Sequence, residues 1–196
     1  MRTALIWGGL VLALLVPLGA AALSPLLAWR DPIYIAAGFA GVMGLGLMLL
    51  QPLLALGLLP GLSPARARRF HGWVGAALLG AVLIHVAGLW ITSPPDVIDA
   101  LTFTSPTPFS LWGVLAMWGI FATAALAASW RRLHLHPRIW RRAHLGFAAL
   151  IAGGTIAHAL LIDGTMELLS KLALCLLVGL AVLRALVTRW GRSREK

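Results

Sequence analysis

Long apolar runs separated by short polar connections make up most of this chain. Each crossing of the hydrocarbon core of a bilayer needs about 20 predominantly apolar residues, and six runs are long enough. Their approximate bounds are 4–27, 33–59, 71–92, 110–130, 143–162 and 168–188. This pattern predicts an all-α fold: a polytopic membrane helix bundle with six transmembrane helices, forming a single domain over residues 1–196.

The first two runs each carry a feature that bears on their length. Arg2, the apolar stretch 4–16 and the small residues 19–22 also fit a secretory signal peptide. The apolar stretch continues to Leu27, which is longer than the apolar core of a signal peptide, so a retained helix is favoured. In the second run, the Gln-Pro pair at 51–52 predicts a kink or an early end.

Composition excludes the soluble classes of protein. The chain is 60% hydrophobic and 11% charged, with a mean hydropathy of +0.91, whereas soluble domains carry roughly 25% charged residues. There is no P-loop and no glycine-rich dinucleotide turn in the sequence. A single cysteine, Cys175, lies inside an apolar run, which excludes an intrachain disulfide and a thiolate metal cluster.

The net charge of +10 reports topology and indicates no nucleic-acid partner, because the charges divide between two sets of connections. One set contains Arg2, Arg66, Arg68, Arg69, Arg131, Arg132, Arg138, Arg141, Arg142, Arg189, Arg192, Arg194 and Lys196. The other contains Asp31, Asp96, Asp99, Asp163 and Glu167, with Arg30 and Lys171 as its basic residues. Short loops rich in Lys and Arg stay in the cytoplasm. We therefore expect both termini to be cytoplasmic in a multi-pass protein of a bacterial inner membrane.

Four of the six histidines lie in two of the predicted helices. Histidine is costly inside a membrane and by default marks a function there. His71 and His85 lie in the third run and His144 and His158 in the fifth, and each pair is 14 residues apart. Fourteen residues make about 3.9 helical turns, so each pair shares one helix face at levels roughly 21 Å apart. The third and fifth helices run parallel, which places His71 level with His144, and His85 level with His158.

Two imidazoles on neighbouring helices can ligate a haem iron from both axial sides. The pattern therefore predicts two haem sites, one held by His71 and His144 and the other by His85 and His158. Because no Cys-x-x-Cys-His sequence is present, the haems would be non-covalent and of b type. A hydrogen-bonded packing role is the alternative for a single intramembrane histidine, but two equally spaced pairs disfavour it.

Two Arg-Arg pairs lie within one turn of the histidines on the basic side: Arg68, Arg69, Arg141 and Arg142. Their guanidinium groups are candidates for binding haem propionates. It is an equally good interpretation that these arginines only fix the topology and contact lipid phosphates. On the other side the basic residues are Arg30 and Lys171, so propionate binding there has weaker support.

The segments Ala67-Arg-Arg-Phe-His71-Gly-Trp-Val-Gly, Ile84-His85, Trp140-Arg-Arg-Ala-His144-Leu-Gly-Phe and Ala157-His158 together form a recognisable pattern. It resembles the ferric reductase-like transmembrane domain. That domain is shared by ferric reductases, NADPH oxidases and the haem-carrying membrane subunit of the periplasmic methionine sulfoxide reductase system. The resemblance implies a six-helix bundle, two b haems on the four histidines, and electron flow from the cytoplasm to the outer face.

The resemblance also implies an oxidoreductase component that works with partner proteins in the lipid bilayer. The donor would be a quinone or a cytoplasmic flavin reductase that carries FAD or FMN and uses NAD(P)H. The acceptor would be a ferric chelate or a periplasmic protein. A subunit that serves a methionine sulfoxide reductase is the alternative, although many of those subunits lack a histidine at the position of His71. A non-redox haem or metal-ion permease is the alternative from another class, and few polar residues besides Gln51 support it.

Overall fold

A computed structural model describes residues 1–130, 132–134 and 136–191, and in these residues the chain is helical without strands. The helices are α1 (Arg2–Ala22), α2 (Pro32–Leu56), α3 (Pro64–Thr92), α4 (Pro94–Leu101), α5 (Pro108–Ser129), α6 (Pro137–Leu161) and α7 (Leu168–Gly191). All except the short α4 are long and apolar enough to cross a membrane. The prediction of a polytopic helical membrane protein with six spans is therefore confirmed, and α4 lies in the connection between α3 and α5.

Proline and capping residues set where the helices begin. Five helices, α2 to α6, start at a proline, which suits the first helical position because its missing N–H has no intrahelical partner there. Ser63 Oγ accepts a hydrogen bond from Arg66 N at 3.4 Å before α3. As a result α3 begins seven residues before the apolar run predicted from 71, and α6 begins at Pro137 and not at 143. The Arg-Arg pairs are therefore helical and precede the histidines on the same helices.

Helix α2 does not end at its Gln-Pro pair. It continues one turn beyond Pro52 to Leu56, and Gly57 then ends it in the left-handed conformation with φ 66°. The run predicted to reach 59 is thus three residues shorter as a helix.

The helices form two closely packed antiparallel pairs, α2 with α3 and α5 with α6. Helix α7 packs against both α2 and α6, and α1 lies against α2 and α7 at the edge of the bundle. The buried apolar core includes Leu45 and Met48 of α2, Ile151 of α6, and Leu174 and Val178 of α7. Helix α7 therefore joins the two pairs on one side.

Small residues bring the members of each pair close together. A Cβ atom on Gly88 of α3 would lie 2.7 Å from Ala37 Cβ of α2. A Cβ atom on Gly154 of α6 would lie 2.9 Å from Trp112 O of α5. Glycine at such positions is a common means of close helix packing in membranes, and here it brings side chains of one helix within reach of the backbone of its partner.

The bundle has two chemically different ends. The basic end carries the described arginines Arg2, Arg66, Arg68, Arg69, Arg132, Arg138, Arg141, Arg142 and Arg189. The acidic end carries Asp31, Asp96, Asp99, Asp163 and Glu167. Arg131, Arg192, Arg194 and Lys196, which were also assigned to the basic side, lie outside the described residues.

Replacing Gly88 by alanine is expected to destabilise the bundle, because the new methyl group must displace Ala37 on α2. Overpacking of this kind costs about 1–3 kcal/mol in free energy of unfolding. Gly80→Ala on the same helix is the matched control, since a Cβ atom there meets nothing within 4 Å. Thermal unfolding in detergent, followed by tryptophan fluorescence, measures the difference; equal midpoints for the two variants would contradict the close approach of α2 and α3.

Candidate functional site

The structure brings the four intramembrane histidines together as two pairs. The rings of His71 and His144 have their centroids 6.0 Å apart, with their planes at 63°. The rings of His85 and His158 have centroids 6.3 Å apart, with planes at 82°. Each pair consists of one residue from α3 and one from α6, and the pairs lie at two levels of the bundle. The pairing is the one expected from the 14-residue spacing.

His85 and His158 form the pair nearer the acidic end, called here the acidic-end pair. Both of their imidazoles form a hydrogen bond to the backbone of a neighbouring helix. His85 Nδ1 lies 2.8 Å from Ala37 O of α2, and His158 Nδ1 lies 2.9 Å from Phe109 O of α5. A carbonyl oxygen can only accept, so Nδ1 is the protonated nitrogen and donates. In a neutral imidazole this leaves Nε2 unprotonated. A ring that donates one N–H to a backbone carbonyl and keeps the other nitrogen basic is the usual arrangement of a metal-ligating histidine.

A glycine stands four residues after each of these carbonyls. A Cβ atom on Gly41 would lie 3.1 Å from His85 Nδ1, and one on Gly113 would lie 2.7 Å from His158 Nδ1. In an α-helix the carbonyl of residue i points towards residue i+4, whose N–H it accepts. A side chain at that position would stand beside the carbonyl and block a second donor. In both helix pairs, a glycine thus leaves a backbone carbonyl accessible to the imidazole of the partner helix.

His71 and His144 form the pair nearer the basic end, called here the basic-end pair, and the surroundings of these two rings differ. His71 Nδ1 lies 3.2 Å from Gln51 O of α2. His144 Nδ1 is buried and has no hydrogen-bond partner among the described residues; its ring stacks on Trp140, with centroids 5.2 Å apart and planes at 11°. Gln51 Oε1 and Trp140 Nε1 are likewise buried without a described partner. Buried polar atoms left unpaired cost about 1–3 kcal/mol each, so this level of the bundle leaves polar groups for a ligand to satisfy.

The arginines predicted near the basic-end pair lie on the surface. Arg68 and Arg69 in α3, and Arg141 and Arg142 in α6, are all exposed. A different arginine comes close to this pair: Arg189 of α7 donates to Ala55 O and acts electrostatically on His71. Spacing within α3 and α6 gives no signal for Arg189, because it approaches from a third helix.

A cavity of about 430 Å³ lies beside the acidic-end pair. His85 and His158 both line it, and most of its remaining wall consists of apolar residues from α2, α3 and α5. Ligand pockets typically measure about 300–1,000 Å³ and combine apolar walls with a few polar groups. The cavity is thus large enough for a ligand that contacts both imidazoles.

The donor set of each pair can be compared with what a bare metal ion and a haem require. No group of three or more His, Cys, Asp or Glu residues able to hold a metal ion occurs in the described part of the chain. Two imidazoles alone suit a metal whose other ligands come from a macrocycle. With about 2.0 Å for each metal–nitrogen bond and about 1.2 Å from nitrogen to ring centre, such a pair has centroids about 6.4 Å apart. The observed 6.0 and 6.3 Å fit this arrangement.

Fold and site together define a multi-pass helical membrane protein with two intramembrane imidazole pairs. The family model described as ferric reductase like transmembrane component matches residues 40–155, which is more than half of the 196-residue chain. The chain belongs to this family, as the sequence resemblance indicated, and domains of this family are generally haem-binding. The matched region includes three of the four histidines and ends three residues before His158. No curated protein and no solved structure matches the chain.

Proposed function

We propose that this protein transfers single electrons across the membrane by means of two b-type haems. His71 and His144 ligate one haem, and His85 and His158 ligate the other. The principal support is the hydrogen bond from Nδ1 of three of these histidines to a carbonyl of a neighbouring helix, since it leaves Nε2 basic. When bound, each haem supplies an iron that gains and loses one electron.

Helices α3 and α6 fix the positions of the two histidine pairs along the proposed electron path. Each helix contributes one histidine to each level, and the levels are about 21 Å apart along the axis. The glycine contacts described above fix how far α2 stands from α3 and α5 from α6. Most of the wall around the acidic-end pair is apolar and would limit the access of water to a metal bound there, which is one of the factors that set a reduction potential.

The charge distribution supports a direction for the transfer. We assign the basic end to the cytoplasm of a bacterial cell, because loops rich in arginine stay there. A quinone or a separate flavin protein with FAD or FMN would then donate at that end. Asp96, Asp99 and Asp163 are exposed at the other end, where negative charge attracts cations. A ferric complex is therefore the preferred acceptor, with a periplasmic reductase protein as the alternative.

Removing one ligand should remove one haem. We expect two haems per chain in the wild-type protein, one in His71→Ala and one in His85→Ala, because each variant leaves the other pair intact. The two single variants should lose different components of the reduced-minus-oxidised absorbance spectrum. His134→Asn is the control, since His134 is an exposed loop residue with φ 49°, a conformation that asparagine tolerates. Pyridine haemochrome assay of the purified proteins gives the count, and retention of both haems in both variants would rule out the assignment.

The glycines beside His85 and His158 should affect the haem that these two histidines hold. In Gly113→Ala the new Cβ atom lies 2.7 Å from His158 Nδ1 and forces the ring away from Phe109 O. Losing such an outer hydrogen bond typically costs 10–100-fold in affinity for the metal group. It also weakens the imidazole as a donor, so the midpoint potential of that haem should rise while the other stays unchanged.

The matched variants are Gly41→Ala and Gly80→Ala. Gly41→Ala should act in the same direction but less, because its Cβ atom would lie 3.1 Å from His85 Nδ1. Gly80→Ala should leave both potentials at the wild-type values, since that site is open. Redox titration followed by absorbance measures the potentials of all three variants. Identical titrations of Gly113→Ala and Gly80→Ala would argue against a role of Gly113 in the hydrogen bond between His158 and Phe109 O.

A further inference from the structure

Lys171 is a buried cation at the acidic end of the bundle. It lies in the first turn of α7, and only 6% of its surface is exposed. Lysine is almost never buried to this degree without a partner for its charge. Its Nζ donates to Ile162 O at 2.8 Å, just beyond the end of α6. An ammonium group has three N–H donors, so this bond occupies one of them.

No carboxylate of the described residues forms a salt bridge with Lys171. Glu167, four residues earlier, uses its two oxygens to accept from Leu169 N and Ser170 N at 2.6 Å each. Those contacts cap the start of α7. Hydrogen bonds from Ser170, and to a lesser degree the charge of Lys171, lower the pKa of the Glu167 carboxyl group. The nearest acid in sequence thus uses both of its oxygens on the helix backbone, and it interacts with Lys171 only through space, without a salt bridge.

Lys171 also lines the cavity beside His85 and His158, and it is the only lysine or arginine among the described residues of the lining. Arg30, the other cation on this side, is exposed and lies over the ring of Tyr34 at 5.0 Å. The rest of the cavity wall is mostly apolar, and its two carboxylates, Asp96 and Asp99, are exposed and form no salt bridge with Lys171 in the described part of the chain. A buried charge in such surroundings costs free energy unless an anion pairs with it. A ligand that suits this cavity therefore combines an apolar body with an acidic group.

We propose that Lys171 binds a carboxylate of the ligand that occupies this cavity. For the identity of that ligand the inference rests on the proposed function: the ligand is the haem held by His85 and His158, and the group is one of its propionates. The contact fixes the orientation of the haem, with that propionate towards the start of α7. It also places a positive charge beside the haem, which favours the reduced iron and raises its midpoint potential.

The test compares Lys171→Met, Lys171→Arg and the control Arg184→Met in the full-length, haem-loaded protein. Arg184 lies on the same helix but is exposed, so its substitution removes a charge without touching the cavity. Lys171→Met should release one haem to an excess of a soluble haem-binding protein at least about tenfold faster than wild type, because a charge-assisted hydrogen bond is lost. It should also lower the midpoint potential of that haem alone. Lys171→Arg should recover most of both properties, and Arg184→Met should match the wild type.

A second arm changes the ligand and leaves the protein intact. Wild-type protein reconstituted with haem dimethyl ester, whose propionates are masked, should release it as fast as Lys171→Met releases haem. In Lys171→Met the ester and the free acid should behave alike. This arm remains decisive if Lys171→Met does not fold, since it needs only the wild-type chain.

The outcomes separate this inference from the proposed function. Two haems in the wild type, with equal release of haem and of its ester, would overturn the role of Lys171 and leave the haem assignment standing. A wild-type protein that binds no haem would overturn both.

Discussion

The hydrogen bond from a histidine Nδ1 to a carbonyl on the neighbouring helix connects the packing of this bundle to the chemistry of its site. In the hydrocarbon layer an imidazole N–H has no water to bond to, and leaving it unpaired is costly. A helical carbonyl already accepts one bond but has a second lone pair. Reaching it requires two helices in near contact and no side chain in the way. Gly41 and Gly113 meet that requirement for His85 and His158.

The same hydrogen bond determines which nitrogen of each imidazole is free to bind a metal. With Nδ1 as the donor, Nε2 keeps its lone pair, and the ring cannot easily turn. The two rings held in this way lie 6.3 Å apart, and under the proposed assignment their Nε2 atoms would bind the metal. The basic-end pair differs, because His144 has a stacked tryptophan where the other histidines have a carbonyl. We therefore expect the two proposed haem sites to differ in affinity and in midpoint potential.

Much of this arrangement could be predicted from the sequence, for identifiable reasons. The six spans are predictable because a membrane imposes one length and one composition on every crossing. The histidine pairs are predictable because 14 residues return a helix almost to the same face, and because so few other polar residues lie inside the spans. The starts of α3 and α6 are not visible in the apolar pattern, since Ser63, Pro64 and Pro137 extend those helices into polar sequence.

The partners of the histidines could not be predicted, because they depend on which helices touch. Ala37 is 48 residues from His85, and Phe109 is 49 residues from His158. Spacing within one helix carries no information about such distant contacts. The burial of Lys171 could not be predicted for the same reason, because it depends on the packing of α7 against α2 and α6.

Electron transfer across a sealed membrane tests the central claim most directly. Haem-loaded protein is reconstituted into liposomes that contain a membrane-impermeant ferric chelate, and an impermeant reductant is added outside. We expect the entrapped iron to be reduced much faster than in protein-free liposomes, and the His85→Ala variant to lose this acceleration. Reduction by the haem-loaded wild-type protein at the rate of protein-free liposomes would contradict it.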